Sequence, residues 1–275
     1  MDGSVVRRDE LATEEPMEIR VSAGARSRAV AVTMRTPGAD FELVAGFLHS
    51  EGVAGVRRIS YCVDSSSSGG AGDDSDDADD RVTRQRFNVV TAWLDELPDL
   101  APLERYGYTS SACGVCGKAS LDALRARGLR SMAGDRARIP VETLLSLPDR
   151  LRQTQGVFGR TGGLHAAAVF DPAGELLCVR EDVGRHNAVD KVVGWAALAG
   201  RLPLSGHLLL VSGRTSYEIL QKAVAAQIPI VCAISAPSSL AVSMAEEFGV
   251  TLVGFLRDGR CNVYAGADRI TPQTS

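Results

Sequence analysis

Aromatic side chains are scarce, with Phe, Trp and Tyr together making up 5% of the 275 residues. A core must therefore rest on Val, Leu, Ile and Ala. Cysteine is sparse too: six residues, mostly scattered singly, do not form the disulfide framework of a small secreted domain. In a reducing compartment they are thiols, and a close pair reads as metal-binding or catalytic. No apolar run approaches the roughly 20 residues that cross a bilayer. The longest, 192–199 and 228–234, suit buried helices or strands. No signal-type apolar block follows Arg7-Arg8-Asp9-Glu10 near the N-terminus, so the expectation is a cytoplasmic protein without a membrane segment. Collagen, coiled coil and wholesale disorder are excluded by 45% hydrophobic and 23% charged residues.

A large excess of one charge sign is missing from most of the chain. The formal net charge is −4, and residues 64–80 carry seven Asp and no Lys or Arg. Setting that −7 against −4 leaves the remainder at +3. The folded part is thus slightly basic, which suits an anionic small ligand and gives no nucleic-acid footprint. The Ser/Gly/Asp stretch cannot bury enough apolar surface to offset its ordering entropy, so a disordered acidic insert is predicted over 64–80.

The pattern predicts an α/β protein in two parts. Residues 1–108 read as a small, β-rich α+β domain. Two alternating stretches, 18–21 and 29–33, precede a helix over 41–49 with Asp40 as its N-cap. Strands over 59–63 and 82–94 flank the insert. Residues 109–275 read as a larger layered α/β domain. A helix over 120–127 and a second over 141–153 lead to a hairpin, 164–170 and 176–180, joined by Asp171-Pro-Ala-Gly-Glu175. Helices over 187–198, 217–226 and 240–248 then alternate with strands over 208–212, 228–234, 251–256 and 262–264. Such alternation favours parallel strand pairs, with ligands beyond the strand C-termini.

Chemistry-bearing residues concentrate in a few segments. Cys113-Gly114-Val115-Cys116-Gly117-Lys118 places two thiols three residues apart. The glycines favour an accessible loop, and Lys118 with the oncoming helix N-terminus favours thiolate over thiol. On spacing alone such a pair can share a metal, form a disulfide or relay sulfur. Structural zinc wants four ligands, whereas Cys62, Cys178, Cys232 and Cys261 stand singly. A deaminase-type zinc site pairs H-x-E with P-C-x-x-C; His49-Ser50-Glu51 supplies the first half, but Ala112 stands where proline is expected. A thioredoxin-type pair would follow a strand, and the preceding segment is polar with Pro and Gly.

Downstream, Glu181-Asp-Val-Gly-Arg-His-Asn-Ala-Val-Asp-Lys191 packs polar groups between apolar elements. Asp182 or Asn187 could cap a helix there, while Arg185 and His186 could bind an anion. Ser212-Gly213-Arg214-Thr215-Ser216 and Ser235-Ala236-Pro237-Ser238-Ser239 follow apolar strands and could present backbone N–H groups to phosphate. Phe255-Leu256-Arg257-Asp258-Gly259-Arg260 sets two arginines around a turn. His165, after Gly162-Gly163, reads first as a hydrogen-bonded core histidine.

In order along the chain, Glu15-Pro16-Met17-Glu18-Ile19, Gly46-Phe47-Leu48 with Glu51-Gly52, Cys113-Gly-Val-Cys-Gly117, Gly162-Gly-Leu-His-Ala-Ala167, the 181–191 segment, Ser212-Gly-Arg214 and Ser235-Ala-Pro-Ser-Ser239 closely resemble the formate dehydrogenase accessory sulfurtransferases, the FdhD family. The resemblance spans nearly the whole chain except the termini and 64–80. It implies a cytoplasmic, homodimeric sulfur carrier. A cysteine desulfurase would load Cys113 with a persulfide, Cys116 would assist, and the sulfur would pass to molybdenum in the bis(molybdopterin guanine dinucleotide) cofactor destined for formate dehydrogenase. That cofactor is cargo, and no permanent metal is implied. Residues 255–260 fall where the family binds the guanine dinucleotide end, with Ser212, Gly213, Arg214, Arg185 and His186 completing the expected site. The larger domain is implied to be similar to the cytidine deaminase fold. Asp258-Gly259 departs from the Gly-Gly that the family tends to place before the last arginine, and the insert has no family counterpart.

Overall fold

A computed structural model describes residues 9–64, 84–99, 128–154, 156 and 161–272. The predicted insert beyond Asp64, the 120–127 helix, the domain boundary near Tyr108 and both Cys113 and Cys116 lie outside these residues, as does the rest of 100–127.

The first sheet has the order β2-β1-β4-β3, formed by β1 (Glu15–Ala23), β2 (Arg26–Arg35), β3 (Val56–Asp64) and β4 (Arg84–Leu94). β1 pairs antiparallel with β2 and parallel with β4. Met17, Ile19 and Val21 of β1 turn to one face and are buried with Val90 and Ala92 against Leu43, Val44 and Leu48 of helix α1 (Asp40–Ser50), as period-2 and helical spacings meeting in one core require. The helix is capped by the backbone of Ala39, with no side-chain cap. Asp40 is its first residue instead, because the carboxylate is engaged elsewhere: it accepts from Arg35 Nε at 3.1 Å, Arg35 Nη2 at 3.0 Å and Tyr61 OH at 3.2 Å.

The second sheet has the order β11-β10-β9-β8-β6-β7. Its strands are β6 (His165–Phe170), β7 (Leu176–Asp182), β8 (Leu208–Val211), β9 (Ile230–Ala233), β10 (Thr251–Arg257) and β11 (Arg260–Ala265). A short parallel pair absent from the sequence reading, β5 (Ile139–Pro140) with β12 (Ile270–Thr271), ties the end of the chain to the start of helix α2 (Val141–Thr154). Helices α3 (Arg185–Leu198), α4 (Tyr217–Ala225) and α5 (Ser239–Phe248) complete the described helices.

Helices cover both faces of this sheet. Leu208, Leu210, Ile230, Cys232 and Val253 share a core with Leu144, Leu147 and Leu151 of α2. The alternate residues Leu209, Val211, Val231, Ala233 and Leu252 share another with α3, α4 and α5. Strands buried on both sides read as continuous apolar runs, which is why 208–211 and 230–233 were legible as strands.

The two sheets are joined through α1 and α3. A Cβ on Gly46 would lie 1.8 Å from the Asp190 carbonyl oxygen, and one on Gly194 would lie 1.8 Å from the Glu42 carbonyl oxygen. Each helix thus offers a glycine where the other's backbone crosses. Polar bonds surround the crossing. Ser50 Oγ donates to Asp190 at 3.3 Å, His49 Nε2 donates to the Ala225 carbonyl at 3.1 Å, and Arg180 binds Glu42 through Nε at 2.5 Å and Nη2 at 2.6 Å.

Candidate functional site

Strand direction alone gathers the expected site. β8, β9 and β10 run parallel, so their C-terminal ends share one sheet edge. β6 is antiparallel to β8, which brings its first residue, His165, to that edge. β7 is antiparallel to β6, and its last residue, Asp182, sits opposite His165. β11 starts there as well, antiparallel to β10. The 183–186, 212–216, 234–238 and 255–260 segments therefore emerge together.

The loops interlock by backbone. Thr215 N donates to the Ala236 carbonyl at 3.2 Å and Ser238 N to the Thr215 carbonyl at 2.9 Å. Phe255 N donates to Ser235 O at 3.1 Å. A side chain on Gly254 would meet Pro237 and Tyr264 at 2.9 Å, so only glycine lets the strand pass beneath that loop. Gly213 lies against two other loops, since a Cβ there would be 3.3 Å from His165 Nδ1 and 3.4 Å from Arg185 Cδ.

Within the 181–191 segment the side chains divide by destination. Asp182, Asn187, Asp190 and Lys191 are buried and hold the small sheet. Asp182 Oδ2 accepts from Thr36 N at 3.2 Å and lies 2.7 Å from Lys191 Nζ. Asp182 Oδ1 accepts from Gly184 N and from Asn187 Nδ2, which also donates to Met34 O. Asp190 carries the Lys222 ammonium at 2.8 Å from each oxygen. Neither Asp182 nor Asn187 caps α3; its N-cap is Gly184, with no side-chain bond, because those two groups are engaged across the interface.

Arg185 and His186 belong to the sheet-edge cluster. Burial lowers the pKa of Arg185, and Arg214 beside it lowers it further, with Glu218 opposing. Burial, Arg185 and His186 together hold His165 below the ordinary histidine value, against Asp182, so His165 is neutral at neutral pH. His186 Nε2 lies 2.7 Å from Glu218 Oε2 and 3.3 Å from Ser216 Oγ. Burial opposes ionisation of Glu218, but the His186 hydrogen bond outweighs it and lowers that carboxyl's pKa. Among the described residues, three buried side-chain groups have no hydrogen-bond partner: Arg185 Nε and the fully buried Thr215 Oγ1 at this edge, and Arg269 Nε elsewhere. A cluster of partly desolvated cations with an unpartnered donor is a site for an anion.

The remaining expected contacts are uneven. Ser212 is tied at both ends to Ala166: its N–H donates to the carbonyl and its Oγ accepts from the N–H, each at 2.9 Å, leaving only the hydroxyl proton. Arg257, Asp258, Gly259 and Arg260 are exposed, with Asp258 and Gly259 in the left-handed region and Arg257 5.7 Å above the Phe255 ring. The Leu256 side chain is fully buried in the α2-side core, so it anchors the turn from below and cannot offer its side chain to a ligand. Ser238 acts as the N-cap of α5, accepting from Ala241 N.

Among the described residues no group of three His, Cys, Asp or Glu could hold a metal. Burial raises the Cys178 thiol to about 11 and also pushes up Cys232 and Cys261. Sequence reading included Thr215 only within the 212–216 segment and missed Glu218. An acid in a helix's first turn and a hydroxyl before a helix are ordinary capping features, and only the fold reveals what they touch.

A family model described as the FdhD/NarQ family matches residues 12–271. The chain belongs to the FdhD/NarQ family. Among FdhD/NarQ relatives, the sulfur carrier protein FdhD of Streptomyces coelicolor is 54% identical over 98% of this chain and 92% of its own. That of Mycobacterium tuberculosis is 50% identical over 98% and 95%, and that of Sulfurisphaera tokodaii 43% over 96% and 93%. The crystal structure of a "putative formate dehydrogenase accessory protein" from Desulfotalea psychrophila superposes with a TM-score of 0.69, covering 96% of this chain and 91% of that one at 23% identity. That likeness concerns the fold of this FdhD/NarQ chain.

Proposed function

We propose that this chain is a sulfur carrier for formate dehydrogenase maturation. It would take sulfur from a cysteine desulfurase at Cys113 and deliver it to the bis(molybdopterin guanine dinucleotide) molybdenum cofactor. The supporting observation is the anion-fitted sheet edge around Arg185 and Arg214, in a chain whose relatives of about half identical sequence are named sulfur carriers. The cargo carries phosphates, and the residues present suit it: two neighbouring guanidiniums, one with an unpartnered Nε.

In this reading the Cys113 thiolate attacks the terminal sulfur of the donor's persulfide. The donor's S–S bond breaks and its cysteine leaves as thiolate. Cys116 thiolate then attacks Cys113 Sγ, forming a Cys113–Cys116 disulfide and releasing the outer sulfur as sulfide, so the thiol pair supplies both electrons. Arg185, Arg214 and the 255–260 turn hold the cargo's phosphate and guanine ends, with His165 beside them.

The test is incubation with a cysteine desulfurase and cysteine, followed by intact-mass and peptide mapping. One extra sulfur on Cys113 is expected, and Cys113→Ala should abolish both the label and formate dehydrogenase maturation. Full maturation by Cys113→Ala would leave a cofactor-binding chaperone in place of a sulfur carrier.

A further inference from the structure

Two cross-links of opposite polarity clip α3 to α4. His186 and Asp190 are four residues apart on α3, and Glu218 and Lys222 are four apart on α4. His186 Nε2 lies 2.7 Å from Glu218 Oε2, and Lys222 Nζ lies 2.8 Å from each oxygen of Asp190. The second rung is buried and is tied to α1 as well, through Ser50 Oγ at 3.3 Å. The first is partly exposed and opens on the sheet edge, where Arg185 feels both Arg214 and Glu218. The buried rung holds the two helices in place, so the Glu218 carboxylate stays at that edge. The His186 hydrogen bond, with Lys222 and Arg185 adding to it against burial, keeps the carboxyl ionised at neutral pH. Glu218 also stands in the first turn of α4, where a helix favours negative charge and where a phosphate would otherwise gain. An edge built only for tight grip on an anion would leave that place to the anion.

We propose that Glu218 is a built-in counter-charge, which limits how tightly the sheet edge holds an anionic cargo and so lets a carrier release what it binds. An arriving phosphate meets the repulsion of this carboxylate together with the attraction of Arg185 and Arg214. The effect acts through space and needs no contact between Glu218 and the ligand. It is also separable from any structural role, because glutamine at 218 keeps an oxygen that accepts from His186 Nε2 and loses only the charge.

The inference rests on the cargo-binding reading above, and the test separates the two. GDP, the nucleotide end of the proposed cargo, is titrated calorimetrically into wild type, Glu218→Gln and Glu218→Asp at stepped salt, and its dissociation rate is followed by stopped flow. Glu218→Gln should bind GDP roughly tenfold tighter at low ionic strength, the scale of unit charges a few ångströms apart near a protein surface, and should release it more slowly. The gain should shrink as salt rises from about 0.1 M to about 1 M and the screening length falls from about 10 Å to about 3 Å. Glu218→Asp, which keeps the charge, should show no such gain. Glu246→Gln, which removes an exposed charge from the last turn of α5, should leave GDP binding unchanged. A residue with a structural role alone would weaken binding when replaced, or leave it as it was. Unchanged or weaker GDP binding by Glu218→Gln, a gain that ignores salt, or an equal gain in Glu218→Asp overturns the role of Glu218 alone. Absence of GDP binding to both wild type and Glu218→Gln overturns the cargo reading and this inference with it.

Discussion

Replacing Gly46 by alanine tests how the two sheets are held together. The new methyl would start 1.8 Å from the Asp190 carbonyl oxygen, 2.6 Å from its carbon and 2.8 Å from Gly194 N. All three are backbone atoms, so no rotamer change relieves the clash. Reaching ordinary contact at 3.4 Å requires α1 and α3 to part by about 1.6 Å. Overpacking of this kind costs about 1–3 kcal/mol. Separation also stretches Ser50–Asp190, His49–Ala225 and the Arg180–Glu42 pair, each worth about 0.5–1.5 kcal/mol. The total is about 2.5–7.5 kcal/mol, a large part of a typical stability of about 5–15 kcal/mol. At about 2–4 °C per kcal/mol for a chain of this size, Tm should fall by about 5–30 °C. Urea and thermal unfolding measure it, with Gly134→Ala as control, since that position has nothing within 4 Å. Gly194→Ala should cost as much, and the double variant less than the sum, because the first methyl has already opened the gap for the second. If Gly46→Ala melted within about 1 kcal/mol of wild type, the close crossing would not be what joins the halves.

Three further outcomes follow from the site and the cores. Arg185→Met should weaken GDP binding about tenfold or more by removing a charged donor, while leaving Tm unchanged or higher, because the orphaned Nε goes with it; a lowered Tm with intact binding would contradict this. Iodoacetamide at pH 7.5 should leave Cys178 and Cys232 unmodified in the native protein, since burial raises both thiols; peptide mapping that finds Cys232 alkylated before denaturation would refute the buried placement. The folded-state pKa of Glu218 is depressed from 4.5, so its contribution is present above that value and lost as pH falls through the lower folded one. The stability difference between wild type and Glu218→Gln should therefore shrink on acidification below pH 4.5, read from urea melts at stepped pH; a gap that widens would reverse the assignment.

The elements of the larger sheet were readable because their apolar runs are buried on both faces and separated by short polar links. The 208–212, 217–226 and 240–248 ranges fall within a residue or two of the observed β8, α4 and α5. The 181–191 segment was readable as a functional stretch but not as two sets of side chains. Sequence spacing gives no sign that Asp182 would spend its oxygens on Thr36 and Lys191, or that Asp40 would serve Arg35 rather than a helix end. Such assignments depend on partners up to 150 residues away. Gly46 entered the sequence reading only through the family resemblance and Gly194 not at all, since what demands them is a neighbour's backbone. Leu256 was placed by the run it belongs to, but the irregularity between Gly254 and Arg257, with Phe255 at φ 50°, breaks the alternation and turns Leu256 into the same core as Val253.

Helix α3 serves two masters along its length. One side chain, Asn187, grips the smaller sheet at Met34 and Thr33, and its immediate neighbour, His186, stands among the cations. The two jobs are one residue apart on a single rigid rod. Cutting away the N-terminal half to obtain a minimal binding fragment would therefore unmoor the very rod that aims the histidine, and a loosened seam would register first as poorer grip on phosphate.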